Sequence, residues 1–385
     1  MKISERLQQS FKGDTILWIV LVMLALYSLL AIYSATGVIA SRAGETTTLS
    51  YLIKQIVLLL VGIFFAYCCH WIRYTRYSSI AWPLLAFSIV LLVLVLFIGN
   101  EVNGAKRWIY LFGISFQPSD LAEVALIIFL AREISSHQES IKEDKRVFWK
   151  LFLPVLVVCG LILPNNLSTA ALLFVNSVTI MFIGRIPMKF IGGILAGGLA
   201  MFGLVFLLGY TIPNFSRAHT WTERITTFMD HEESYQSTTG KIAIANGGLI
   251  GRGPGNSIQK SFLPYAHTDF IFAIILEEYG FLIGGILLIS IFLVLLFRCI
   301  RLVTRSPKTF GAILAIGLCL NIVIQAFANF MVTVGLVPDT GVTLPIISLG
   351  GSSLLFTCIS FGIILSVSKY IENIKPVENA VQSGS

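Results

Sequence analysis

The residues best suited to chemistry in this sequence are a few carboxylates and cations set in or beside long apolar runs. Asp269 lies in Leu263-Pro264-Tyr265-Ala266-His267-Thr268-Asp269-Phe270, where a polar stretch enters an apolar one. A carboxylate there can cap a helix N-terminus, as Thr268 could, or it can take a proton from a hydroxyl brought to a membrane face. Glu277 and Glu278 follow two turns deeper, where two carboxylates are costly unless a cavity or a cation receives them. Lys106 and Arg107 sit beside Trp108, just ahead of Phe116-Gln117-Pro118-Ser119-Asp120-Leu121. They read either as an interfacial belt with a snorkelling cation or as cations placed to meet a lipid phosphate. Pro118 is suited to open the next helix, and Glu123, one turn in, is an ionisable residue at membrane depth.

Two further patterns carry polar groups into apolar surroundings. The stretch from Gly247 to Ser257 is rich in glycine and contains Arg252; it can form a plain turn or bring backbone N–H groups close to an anion. Asn321, Gln325 and Asn329 recur every four residues, one polar stripe on a helix, suited to interhelical hydrogen bonding or to lining a cavity. Beyond them, Gly335-Leu336-Val337-Pro338-Asp339-Thr340-Gly341, Leu344-Pro345-Ile346-Ile347-Ser348 and Gly350-Gly351-Ser352-Ser353 break the helical spacing near the membrane edge. Broken backbone at that depth is tolerated where protein or water satisfies it.

The elements that must position these residues are membrane helices. The 385 residues are 56% hydrophobic and 12% charged, about half the charged fraction of a soluble protein. Mean hydropathy is +0.85. The expected fold class is all-α, a polytopic integral membrane protein with about ten spans. They fall at 15–33, 52–72, 79–99, 119–134, 151–163, 168–184, 190–209, 269–298, 309–333 and 344–370. The first is long and lacks a small-residue cleavage pattern, so it reads as a retained span rather than a signal peptide. The fifth, followed by Leu163-Pro164-Asn165-Asn166, reads as a span that stops short and leaves polar groups in a recess. Most of the 27 Lys and Arg residues, including those at 142–150 and 298–308, fall on one side, which predicts cytoplasmic termini. One large extracytoplasmic loop, 210–268, is then left between spans seven and eight, within a single transmembrane domain over 1–376. The tail 377–385 is expected to be disordered. The net charge of +7 is scattered over short loops, which argues for membrane orientation and against a nucleic-acid partner. The six cysteines lie in or at the edge of apolar runs, with no zinc-like spacing, so packing explains them and no metal site is expected.

Taken in order, these motifs resemble the SEDS family of peptidoglycan glycosyltransferases. The resemblance is carried by Arg-Trp followed by Gln-Pro-Ser, then Leu-Pro-x-x-His-Thr-Asp-Phe-Ile-Phe-Ala with Glu-Glu-x-Gly, then Gly-Leu-x-Pro-x-Thr-Gly and Gly-Gly-Ser-Ser. It spans about 15–370. Membership implies polymerisation of lipid II, the undecaprenyl-diphosphate-linked disaccharide pentapeptide, with Asp269 essential. A carboxylate at that point would act as general base, in an inverting transfer. The departing diphosphate calls for cations, drawn from Arg107, Arg217, Arg224, Lys241, Arg252 and Lys260. Lys106, Gln117, His267, Ser352 and Ser353 complete the expected substrate-binding set. No cofactor is required, although a divalent ion, Mg or Mn, could share the task. The resemblance further implies a class B penicillin-binding protein transpeptidase and divisome proteins as partners, the inner membrane as location and the division septum as setting. An elongation-branch polymerase, a flippase for the lipid-linked precursor and a structural division scaffold are the alternatives. Two positions depart from the family pattern. Glu123 stands where members usually carry Lys, and Pro164-Asn165-Asn166-Leu167-Ser168-Thr169 replaces an acidic Pro-Asp-x-Gly-Thr-type element, so no catalytic role is assigned in that recess.

Overall fold

The computed structural model describes residues 13–37, 48–102, 105–111, 114–138, 145–211, 217–230, 234–263 and 266–382, with side chains to residue 373. The helices are α1 (Thr15–Ala35), α2 (Thr48–Trp71), α3 (Thr75–Ile98), α4 (Pro118–Ser136), α5 (Lys145–Ile162), α6 (Leu167–Ile183) and α7 (Met188–Thr211). There follow α8 (Ala218–Met229), α9 (Tyr235–Gly247), α10 (Ile271–Tyr279), a π-helical segment (Gly280–Leu287), α11 (Leu288–Arg305), α12 (Thr309–Thr333) and α13 (Gly351–Gln382).

Helices occur at all ten expected spans, with α10, the π segment and α11 forming the eighth. Seven of these are long and apolar enough to cross a membrane by length and composition. The tenth span starts later than expected, because Gly335–Gly350 is loop and helix resumes only at Gly351. Helix also continues through the tail from Val377 to Gln382, a stretch expected to be disordered; 383–385 lie outside the described residues. The sequence predicts no strand. Asn100–Val102 (β1), Ala105–Leu111 (β2) and Ile114–Phe116 (β3) nevertheless form a small antiparallel sheet in the order β1-β2-β3. The stretch is too short to continue the apolar run, and pairing satisfies backbone groups that hydrocarbon could not.

Depth of burial separates centre from periphery. In α12 and α13, 72% of the apolar window is buried, against 22% in α2 and α7, whose outward faces carry Leu60, Phe64, Leu199 and Leu207. Small residues set the closest approach. Gly362 of α13 lies so near α2 that a methyl there would overlap the Ala66 carbonyl, and one at Gly62 would meet Cys358 Sγ at 2.8 Å. Such contacts replace the hydrophobic drive that lipid cannot supply. Cys159, Cys299, Cys319 and Cys358 are buried in the helical core.

Both described ends of the chain meet at one face. The Gly13 N–H donates to the Glu372 carboxylate (2.9 Å), the Asp14 N–H to the Ser368 hydroxyl (2.7 Å), and the Asp14 carboxylate pairs with Arg298 of α11. Asp14 also caps α1 through the Ile16 N–H (3.0 Å). The sheet, α8, α9 and the turn holding Asp269 are therefore assembled at the other end of the bundle, where α1 finishes and its Ser34 meets Glu278.

Candidate functional site

Asp269 lies in a turn at 266–270, before α10 begins at Ile271. The residue at the N-cap position is Phe270, and no side chain caps the helix. The capping role open to Asp269 and Thr268 on sequence grounds is thus not the one they fill. Asp269 opens instead onto a cavity of about 760 Å³. Its wall draws on β2 (Arg107, Trp108), the start of α4 (Gln117, Asp120, Glu123), the α5–α6 recess, α8 (Arg217, Trp221, Arg224), α12 (Asn321, Gln325) and the 338–343 loop.

Around Asp269 the electrostatics are those of guanidiniums crowded together with a second carboxylate, Asp339. Burial lowers the Arg107 pKa to about 10; Arg217 and Arg224 push it the same way, while Asp269 opposes them. Arg217 is lowered too, by burial and then by Arg224. Asp269 is raised by burial, against the hydrogen bond from Thr268 and the fields of Arg107 and Arg224, and with the field of Asp339. Arg107 stays charged at neutral pH, and its buried Nε has no hydrogen-bond partner among the described residues. Like charges held together in this way are costly and can be offset by a bound anion.

Deeper in the cavity the carboxylates meet neutral donors. The Ser352 hydroxyl donates to Asp120 (2.7 Å) and accepts the Gln117 N–H (3.0 Å). The Asn321 amide donates to Glu123 (2.8 Å) and accepts from Asn176 (3.3 Å). The polar stripe of α12 thus does both things its spacing allowed: Asn321 and Gln325 line the cavity, and Asn329 makes buried hydrogen bonds. The 335–343 loop closes one side. Arg224 donates to the Asp339 carbonyl (2.8 Å), the Ser168 hydroxyl to the Thr340 carbonyl (2.9 Å), and the Ser234 hydroxyl to the Asp339 carboxylate.

Of the residues expected from sequence, Asp269, Arg107, Gln117, Arg217, Arg224 and Ser353 line this cavity, and Ser352 supports it from behind. Lys106 is exposed on β2, opposite Glu101. His267 is half-buried in the Asp269 turn, its pKa lowered by burial. Lys241 packs against Gly335, where a methyl would stand 3.1 Å from Nζ.

Arg252 and Lys260 lie apart from the cavity lining, for a specific reason. N–H groups just beyond the glycine-rich stretch do meet a carboxylate, and it is that of Glu277. Ile258 and Gln259 N–H groups (both 3.2 Å), the Ser257 hydroxyl and the Asn246 amide (3.4 Å) all donate to its carboxylate, and Glu278 takes the Ser257 N–H (3.2 Å) and the Ser34 hydroxyl. Among the described residues, neutral donors rather than a cation or the cavity receive these two carboxylates. Lys260 turns back to the Gly255 carbonyl (2.6 Å). Asp120, Asp339, Trp108 and Asn166 also line the cavity; each stands in a motif visible in the sequence, Asp120 three residues before Glu123 on one helix and Asn166 in the recess after the fifth span, but none is expected there as a substrate-binding residue. Among the described residues no group of three or more His, Cys, Asp or Glu is set to hold a metal ion.

A multi-pass helical membrane protein whose polar cavity gathers carboxylates and several arginines is the class this fold and site define. The chain belongs to the FtsW/RodA/SpoVE family, described as cell cycle protein, which matches residues 14–373. It is 35% identical over 364 residues to the probable peptidoglycan glycosyltransferase FtsW of Trichlorobacter lovleyi, covering 92% of this chain and 93% of that protein. It is 33% identical over 365 residues to the stage V sporulation protein E of Bacillus subtilis, covering 93% and 97%. Among solved structures it is similar to the rod shape determining protein RodA of Thermus thermophilus, with a TM-score of 0.68 at 26% identity over 93% of this chain and 97% of that one. A chain from a structure described as a peptidoglycan synthase complex coordinating polymerization and crosslinking superposes with a TM-score of 0.74 at 26% identity, over 93% and 98%.

Proposed function

We propose that this protein is a peptidoglycan glycosyltransferase that polymerises lipid II into glycan strands at the outer face of the cytoplasmic membrane. The observation that carries this reading is Asp269 opening onto a cavity whose mouth also holds Arg107, Arg217 and Arg224. In the proposed step, a sugar hydroxyl of one lipid-linked disaccharide attacks the anomeric carbon of the strand. Asp269 takes the hydroxyl proton as the C–O bond forms, and the bond to the diphosphate breaks with its electron pair leaving on the phosphate oxygen. The arginines meet the charge that grows there. Attack from the face opposite the leaving group inverts an α-linked donor to a β-linked product. Similarity to several proteins named FtsW favours division over elongation. Both termini then lie in the cytoplasm, and a class B penicillin-binding protein, among other division proteins, is the proposed partner.

The test is lipid II consumption by the purified protein, with its transpeptidase partner, as wild type and as Asp269→Asn. The amide keeps the shape of the side chain and cannot take the proton, so polymerisation should fall to background in a protein that melts normally. A folded Asp269→Asn protein with wild-type turnover would refute Asp269 as the base, whereas a wild-type complex without turnover would leave the flippase as the better reading.

A further inference from the structure

The turn that carries Asp269 has no ladder to fix it, yet its three successive carbonyls are each held by a different donor. The Leu349 N–H donates to the His267 carbonyl (3.0 Å), the Ser348 hydroxyl to the Thr268 carbonyl (2.6 Å), and the Asn329 amide to the Asp269 carbonyl (2.8 Å). The same amide also donates to the Val342 carbonyl (2.7 Å). Both partners of this fully buried side chain are acceptors, so only its NH₂ group can face them, and its oxygen has no partner among the described residues. Val342 follows Gly341, and Gly341 faces the catalytic group: a methyl there would stand 3.4 Å from Asp269 Oδ2. One amide therefore joins the backbone that carries the carboxylate to the turn that the carboxylate faces.

The loop supplying the other donors is itself fixed. The Ser348 hydroxyl accepts the Leu344 N–H (2.8 Å), and the Ile347 carbonyl accepts from Ser28 of α1 (3.2 Å), which Gln55 of α2 supports (2.7 Å). Ile346 holds a φ of 67°, a left-handed conformation that a β-branched residue keeps only where the surroundings over-determine it.

We infer that Asn329 is a positioning residue for Asp269, with Ser348 as its second point of support. The inference rests on the reading of Asp269 as the base. A reacting group displaced by about 1 Å loses on the order of 10²-fold in rate, which is the scale of effect at issue. Asn329→Leu keeps most of the volume and removes both donors; Ser348→Ala removes the other side-chain donor, and Ser348→Thr restores the hydroxyl.

The experiment measures lipid II polymerisation by the purified complex across pH, beside a thermal melt for each variant. Asn329→Leu and Ser348→Ala should lower kcat about 10²-fold with KM changed less than about twofold. The acid limb of the pH profile should move towards an ordinary carboxylate value as Asp269 gains solvent, and Ser348→Thr should recover most of kcat. Should Asn329→Leu fail to fold, the Ser348 pair decides alone. Folded variants with a lowered Tm but wild-type kcat and an unmoved limb would overturn the inference, provided Asp269→Asn is inactive. An active Asp269→Asn would instead remove the base, and the inference with it.

Discussion

Asp269 is held between opposing effects, and their balance makes a pH prediction. Burial raises its pKa above the ordinary carboxylate value, more than the Thr268 hydrogen bond and the arginine fields lower it. A base must be ionised to act, so polymerisation should rise with pH along a limb lying above about 3.9, the unperturbed Asp value. The sign for stability is the reverse. A raised folded-state pKa contributes stability below the unfolded pKa and loses it as pH rises through the folded one, so ionised Asp269 weighs against the fold at neutral pH. Asp269→Asn should therefore melt at or above the wild-type temperature at pH 7, with the gap closing in acid. An amide variant that melts lower at neutral pH would contradict this account. The cations divide by position. Arg107→Ala should lower kcat about 10²-fold and Arg107→Lys recover only part, since a point charge replaces the guanidinium fork. Arg252→Ala should leave turnover within about twofold, because its backbone belongs to the loop around Glu277 and Glu278.

That loop is an element whose glycines serve shape. Gly251 has a φ of 89°, and a methyl there would overlap the Glu278 carbonyl; Gly280, at 71°, lies as close from the other side. The two backbones interlock through Arg252 N–H to Glu277 carbonyl (3.0 Å) and Phe281 N–H to Gly248 carbonyl (2.9 Å), at the start of the π-helical segment. Glu277 then satisfies the part-buried N–H groups of Ile258 and Gln259 and the hydroxyl of the buried Ser257. Glu277→Leu should destabilise the protein by about 1–3 kcal/mol, read as a lowered Tm in detergent, with turnover per folded molecule retained. A similar penalty, about 1–3 kcal/mol, is expected for Gly362→Ala, which forces α13 away from α2.

For the whole molecule, the arrangement of both described ends at one face and Asp269 at the other makes sidedness testable. In a background with Cys68 and Cys69 replaced by Ser, Tyr235→Cys should react with a membrane-impermeant thiol reagent in intact spheroplasts, and Ser136→Cys should react only after lysis. Both positions are exposed in the fold. The opposite pattern would invert the topology and place the cavity mouth in the cytoplasm, away from the proposed reaction.

Apolar run length and the bias of Lys and Arg made the helical membrane fold legible in the sequence, because a span must be apolar, continuous and long enough to cross hydrocarbon. Motif order made Asp269 and Arg107 legible as candidates. The cavity itself was not legible, since it gathers Arg107, Glu123, Arg217, Asn321 and Asp339 from segments far apart in the chain, and no local spacing encodes that meeting. Nor could spacing tell which anion the glycine-rich stretch serves. A set of N–H groups reads the same for a diphosphate as for a carboxylate, and only the packing of α10 brings Glu277 and Glu278 to those at 257–259. Sequence determined which groups were available in the membrane; tertiary structure decided which of them meet, because burial leaves each polar group only the partners that packing brings within hydrogen-bond reach.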